Sequence, residues 1–146
     1  MVAKLSIYCD GASRGNPGLA AAAFLIKNEE NKIIHQQSFF LGKATNNIAE
    51  YNGVLLALKW LAKENLSQQK EIHFYLDSLL VVSQLTGIFK IKNEKLRKII
   101  VEIKKIEEEI TLPIFYHHII RKYNKRADEL VNKCLDKQRR SRVLKI

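Results

Sequence analysis

The order of hydrophobic periodicities constrains this chain more than any other feature. Three strand-like segments come first, divided by turn residues, and helical and strand periodicities alternate after them. Residues 3–9 (AKLSIYC) alternate and then run apolar up to Asp10. Gly11 to Gly18 is dense in turn residues. Residues 19–27 (LAAAAFLIK) suit helix or strand by composition, but the turn signals on both sides favour a strand. Residues 32–40 (KIIHQQSFF) then read as its partner.

From Thr45-Asn46-Asn47, which have helix-start chemistry, the period changes to helical. Ile48, Tyr51, Val54, Leu55, Leu58 and Leu61 form one stripe ending near Ala62. Residues 71–76 (EIHFYL) predict a strand that ends at Asp77, and Ser78 to Leu85 a short helix. Residues 94–110 predict an amphipathic helix with Leu96, Ile99, Ile100, Ile103, Ile106 and Ile110 inward. A last strand is expected over Ile114–Ile119, then a basic loop from Arg121 to Lys125. A final helix is expected from Arg126 to Lys137, with Ala127, Leu130, Val131 and Cys134 inward. This order predicts one α/β domain with a mixed sheet over residues 1–137 and a basic C-terminal tail over 138–146.

Charge narrows the class of partner. The net charge is +10, and residues 121–146 alone hold ten basic and three acidic residues. Such an excess points to a polyanion, nucleic acid above all, although a basic run also serves as a plain solvated face. The apolar runs are far shorter than the ~20 residues of a membrane span, and the N-terminus lacks signal-peptide features. A cytoplasmic, monomeric protein that does not engage membranes is the expectation. Cys9 and Cys134 have no metal-ligand or disulfide spacing and read as buried free thiols.

Four aspartates occur: Asp10, Asp77, Asp128 and Asp136. Asp10 and Asp77 each end an apolar strand. In open α/β sheets ligands gather at the carboxyl ends of strands, so these two meet if their strands are parallel neighbours. Each also has a plainer reading, Asp10 as the start of a turn and Asp77 as a helix cap. Glu50 and Asp128 flank the apolar stripes of their helices, where they either reach a strand end or stay solvated. Clustered carboxylates repel one another without cations. Two Mg²⁺ ions about 4 Å apart can serve the attacking and leaving oxygens of a phosphodiester.

Four motifs in order carry a resemblance. Tyr8-Cys9-Asp10-Gly11-Ala12-Ser13-Arg14-Gly15-Asn16-Pro17-Gly18 resembles the opening motif of type 1 ribonucleases H. Thr45-Asn46-Asn47-Ile48-Ala49-Glu50-Tyr51, Tyr75-Leu76-Asp77-Ser78 and Asn124-Lys125-Arg126-Ala127-Asp128-Glu129-Leu130 resemble the second, third and fourth. The match runs from about residue 3 to residue 137. It implies the ribonuclease H-like fold, a five-stranded mixed sheet with helices on both faces. It also implies an endoribonuclease that cuts the RNA strand of RNA–DNA hybrids.

The resemblance further implies that Asp10, Glu50, Asp77 and Asp128 are catalytic and bind two Mg²⁺ ions, with Mn²⁺ as a substitute. On the family's pattern Asp10 bridges both ions, Glu50 and Asp77 join one and Asp128 the other. In-line attack by water would leave 5′-phosphate and 3′-hydroxyl ends. Gly11, Ser13, Asn16 and Asn47 match positions that follow the RNA strand and its 2′-hydroxyls, the group that tells RNA from DNA. Thr45 and Asn46 match a pocket for a DNA phosphate, which suits amides at a helix N-terminus.

Three departures stand out. The loop Arg121-Lys122-Tyr123-Asn124-Lys125 has no histidine where bacterial members often carry one, and His118 reads as a strand residue. Gly87 to Leu96 is short and lacks the basic, tryptophan-rich handle of some members. Lys90, Lys92, Lys95 and the tail residues Arg139, Arg140 and Arg142 would then have to supply hybrid contacts. Leu79 stands where many members are polar.

Two other readings use the same fold: a non-catalytic module that binds RNA–DNA hybrid or double-stranded RNA, and a DNA-cutting transposase, integrase or resolvase. The full carboxylate set argues against the first, and the Asp10–Gly18 and Thr45–Asn47 runs against the second. Deleting residues 139–146 is expected to weaken hybrid binding and to lower the slope of log affinity against log salt by about one unit per lost phosphate contact. An unchanged slope in a binding titration would retire the tail as a contact.

Overall fold

The alternation that opens the chain does not stop at Asp10. The computed structural model, which describes residues 3–87 and 91–144, carries strand β1 from Lys4 to Gly15. Gly11 to Gly15, expected within a turn, are strand because each pairs antiparallel with β2 (Gly18–Lys27), from Gly11↔Ala22 to Gly15↔Gly18. The turn shrinks to Asn16-Pro17. Strand β3 (Ile33–Ala44) pairs antiparallel with β2 and extends four residues beyond the expected end at Phe40.

The second half supplies parallel strands. Helix α1 (Asn46–Ala62) leads to β4 (Glu71–Leu76), which pairs parallel with β1 over Lys4–Tyr8. Helices α2 (Leu79–Leu85) and α3 (Glu94–Glu109) follow, and β5 (Ile114–His118) adds parallel to β4. A 3-10 turn at Arg121–Tyr123 leads into α4 (Lys125–Leu144). The five-stranded order is β3-β2-β1-β4-β5, as the resemblance implies. His118 is the last residue of β5, opposite Leu76.

Burial explains the ambiguous run in β2. Phe24 and Ile26 join Leu5, Ile7, Cys9, Tyr51 and Phe74 in the larger core, under α1 and α3. Ala21 and Ala23 point the other way and join Val131 and Leu135 of α4. A strand covered on both faces is apolar at every position, so periodicity alone cannot separate it from a buried helix.

Helix α1 likewise buries more than its one expected stripe. Ala49, Gly53 and Ala57 form a second, small-residue stripe, and all three are fully or nearly buried. They let the helix approach β1 closely. A Cβ on Gly11 would lie 2.2 Å from the carbonyl carbon of Ala49, and one on Gly53 would lie 2.9 Å from the Asp10 carbonyl oxygen. Both contacts are with backbone, which cannot rotate aside.

The end of α4 differs from expectation. It runs to Leu144, past the expected end at Lys137, so residues 138–144 continue the helix. Ala127, Val131 and Leu135 are buried, while Leu130 and Cys134 are only half-buried. Cys9 is fully buried and both thiols are free. Arg139 is exposed on α4; Lys90 and the side chains of Arg140 and Arg142 lie outside the described residues.

Gly11→Ala should force α1 off β1, with a loss on the order of 3 kcal/mol in chemical denaturation, at the upper end for overpacked cores. A stability equal to wild type would mean that the two elements can separate without penalty.

Candidate active site

Sheet topology brings the acidic residues together. β1 is where the sheet changes from antiparallel to parallel, and its pairing with β4 ends at Tyr8↔Tyr75. Asp10 lies just past that point on β1, and Asp77 just past the end of β4. Leu5, Ile7 and Cys9 face α1, so alternation turns Asp10 toward the α4 side, where Asp128 sits in the first turn of α4. The close approach at Gly11 brings the Ala49-Glu50 backbone against β1. Four elements therefore deliver one carboxylate each.

Their electrostatics reflect how near these carboxylates lie to one another. Asp10 is 8% exposed. Burial first, then the charges of Asp77, Asp128 and Glu50, push its carboxyl up to about 8 against a hydrogen bond from the Gly11 amide that lowers it. Burial and the charge of Asp77 push Glu50 up to about 7, offset by a hydrogen bond from Ser78 and by Arg121. The fourth aspartate stands apart: Asp136 pairs with Arg14 at 2.7 Å.

The plainer readings of Asp10 and Asp77 give way. Asp10 is inside a strand, and the cap of α2 is Ser78, whose Oγ accepts from the Val81 amide at 3.2 Å. Asp77 is therefore not the cap of that helix. Three contributors escape sequence reasoning. Ser78 steadies Glu50 as well as capping α2. Arg121 places a guanidinium 3.7 Å from Asp128 Oδ1, in the loop without histidine. Asn124 is 1% exposed and donates from Nδ2 to the Cys9 carbonyl at 2.8 Å and to Asp77 Oδ2 at 3.4 Å. Asn124 opens the fourth motif, but nothing in its local sequence indicates a reach to Cys9.

The donor set suits a hard cation. Among the described residues, no three histidine, cysteine or carboxylate side chains already converge as a finished coordination shell. Mg²⁺ keeps several waters and takes only one or two carboxylates directly, so a spread set of four oxygen-bearing groups fits it. The buried Asn124 Oδ1 has no donor among the described residues, which leaves it able to accept from a water carried by such a cation.

The other expected contacts gather beside the carboxylates. Thr45 caps α1, its Oγ1 accepting from the Ile48 amide at 3.2 Å. Asn46 Oδ1 accepts from the Ser13 amide at 2.8 Å, and Asn16 Oδ1 accepts from the Asn46 amide at 3.0 Å. The β1–β2 hairpin is thus locked to the N-terminus of α1. With both carboxamide oxygens engaged, Asn16 and Asn46 have NH₂ donors to offer, the polarity that phosphate and hydroxyl oxygens require. Gly11 lies under Ala49 and Glu50, and Asn47 stands in the first turn of α1. Leu79 is 61% exposed. Lys95 and Lys43 flank Thr45 in an open groove of about 500 Å³ that also includes Pro17 and Ile48; Lys92 is exposed nearby in sequence.

Similarity to known proteins extends over most of the chain. The family model described as reverse transcriptase-like matches residues 8–134. Ribonuclease HI of Halobacterium salinarum is 35% identical over 137 residues, 91% of this chain. The chain spans 65% of that protein's length and 36% of the length of the mycobacterial relatives. The crystal structure of LC11-RNase H1, from compost, in complex with an RNA/DNA hybrid superposes with a TM-score of 0.87 at 36% identity, covering 92% of this chain and 98% of that one. The N-terminal RNase H domain of rv2228c from Mycobacterium tuberculosis gives 0.85 at 33% identity, covering 95% and 98%.

The raised carboxyl has a thermodynamic signature. An unfolded chain loses the Asp10 proton near pH ~4, whereas the folded protein holds it to about 8. Between these values the folded state binds the extra proton, so this contribution to stability falls as pH rises. In EDTA, Asp10→Asn should therefore raise the melting temperature relative to wild type at pH 8 and much less at pH 4.5. An equal effect at both would show that Asp10 is not held protonated.

Proposed function

The chain belongs to the type 1 ribonuclease H family, and from that premise we propose that it is an endonuclease hydrolysing the RNA strand of RNA–DNA hybrids. The observation that carries this reading is the convergence of Asp10, Glu50, Asp77 and Asp128 from β1, α1, β4 and α4, with Asp10 and Glu50 both held uphill for ionisation. A set of carboxylates is a poor surface for a polyanion unless cations stand between them. Asp10, Glu50, Asp77 and Asp128 would hold two Mg²⁺ ions, or Mn²⁺ in their place. When bound, such ions neutralise charge on the phosphodiester and supply an activated water.

The protein's own residues position the substrate. The α1 N-terminus, with Thr45 and Asn46, offers donors to a phosphate of the DNA strand. Gly11, Ser13, Asn16 and Asn47 lie along the path proposed for the RNA strand, where 2′-hydroxyl contacts would select RNA. The products proposed are 5′-phosphate and 3′-hydroxyl ends. The hybrid complex of LC11-RNase H1 supports the choice of substrate. The likeness to it extends over almost the whole of both chains.

The test is an end-labelled substrate panel of RNA–DNA hybrid, duplex RNA and duplex DNA, with Mg²⁺, Mn²⁺ or EDTA. Wild type is expected to cut only the RNA of the hybrid and only with metal, and Asp10→Asn to abolish cutting while still binding hybrid. Folded wild type that binds hybrid and never cuts it would instead identify a binding module.

A further inference from the structure

The loop residue Asn124 is in contact with more of the carboxylate set than any expected role requires. Its side chain is almost completely buried, at 1% exposure. The Nδ2 group donates to the Cys9 carbonyl at 2.8 Å, one residue from Asp10, and approaches Asp77 Oδ2 at 3.4 Å. Its backbone oxygen accepts from the Asp128 amide at 3.2 Å. One residue thus touches the chain next to Asp10, the carboxylate of Asp77 and the backbone of Asp128.

The sheet explains why a side chain is needed there. The β1–β4 ladder ends at Tyr8↔Tyr75, so the Cys9 carbonyl has passed the last strand partner on that side. A buried carbonyl without a donor is unfavourable. Asn124 supplies the donor from the far end of the chain, 115 residues away. With two NH₂ hydrogens it can serve Cys9 and Asp77 together. That geometry holds the Asp77 carboxylate at a set distance from the Asp10 backbone.

We propose that Asn124 is a positioning residue for the reaction, whose carboxamide sets the Asp77 carboxylate against Asp10 and whose backbone sets Asp128, so that the four carboxylates take up divalent cations together. The proposal rests on the hybrid-cutting reading above. Groups that orient metal-binding carboxylates typically change metal affinity or activity by about 10–100-fold when removed.

Two substitutions separate this role from simple capping. Asn124→Ser keeps an oxygen able to start α4 but is too short to reach Cys9 and Asp77. Asn124→Asp keeps the size but replaces the donor with an acceptor facing two oxygens. For each variant, circular dichroism would check folding, and calorimetric titration with Mg²⁺ or Mn²⁺ without nucleic acid would read metal affinity. Steady-state cleavage of the hybrid would give kcat and KM.

The expected result is native spectra, metal affinity and kcat each lowered roughly 10–100-fold, and KM for hybrid nearly unchanged. Wild-type metal affinity and kcat in a folded Asn124→Ser would overturn the proposal, as would unfolding of both variants, which would make the residue structural only. Wild type that takes up metal but does not cut hybrid would sink the functional reading instead. Loss of metal affinity in the variants would in that case still support the positioning role.

Discussion

The site depends first on how closely α1 can lie on β1. A helix packed on a sheet is normally held off by side chains of both elements. Here Gly11 on the strand and Gly53 and Ala49 on the helix remove most of that spacing, and backbone meets backbone. The Ala49-Glu50 peptide then sits over β1 next to Asp10. Any larger residue at Gly11 or Gly53 would lift Glu50 away from the other carboxylates, so the packing constraint and the chemical one are the same contact.

This closeness is gained against electrostatics. Burial and mutual repulsion raise both Asp10 and Glu50 well above ordinary carboxylates. Such groups do not stabilise the fold; the core does. Two apolar layers on opposite faces of the sheet hold the elements in place while the carboxylates strain to part or to keep their protons. Arg121 and Ser78 relieve part of that strain, at Asp128 and Glu50. The pattern is that of a site arranged for a charge it must receive from outside.

Much of this was legible in the residues. The strand ends at Leu76, the cap chemistry at Thr45 and the stripe of α3 follow from local periodicity, which needs no partner to be read. The four carboxylates were legible as a set because they lie in four motifs in family order. What was misread shows the limit of local patterns. Gly11 to Gly15 read as turn because two glycines and a serine lie among them and Asn16-Pro17-Gly18 follows, yet partnered by β2 they extend the strand. The last helix reads as ending at Lys137 because the charges beyond it obscure a helical period, yet it continues to Leu144.

The chain by itself determined the elements, the basic balance and the identity of the acidic residues, since each rests on side-chain chemistry and spacing within a few residues. Only the tertiary structure decided which of those groups meet. Asp136 and Asp128 lie on one helix, yet one pairs with Arg14 and the other joins Asp10. Ser78 rather than Asp77 caps α2, and Asn124 reaches the Cys9 carbonyl from the far end of the chain. Such pairings depend on sheet order and on the distance between packed backbones. Both are set by contacts between residues remote in sequence, which no local pattern encodes.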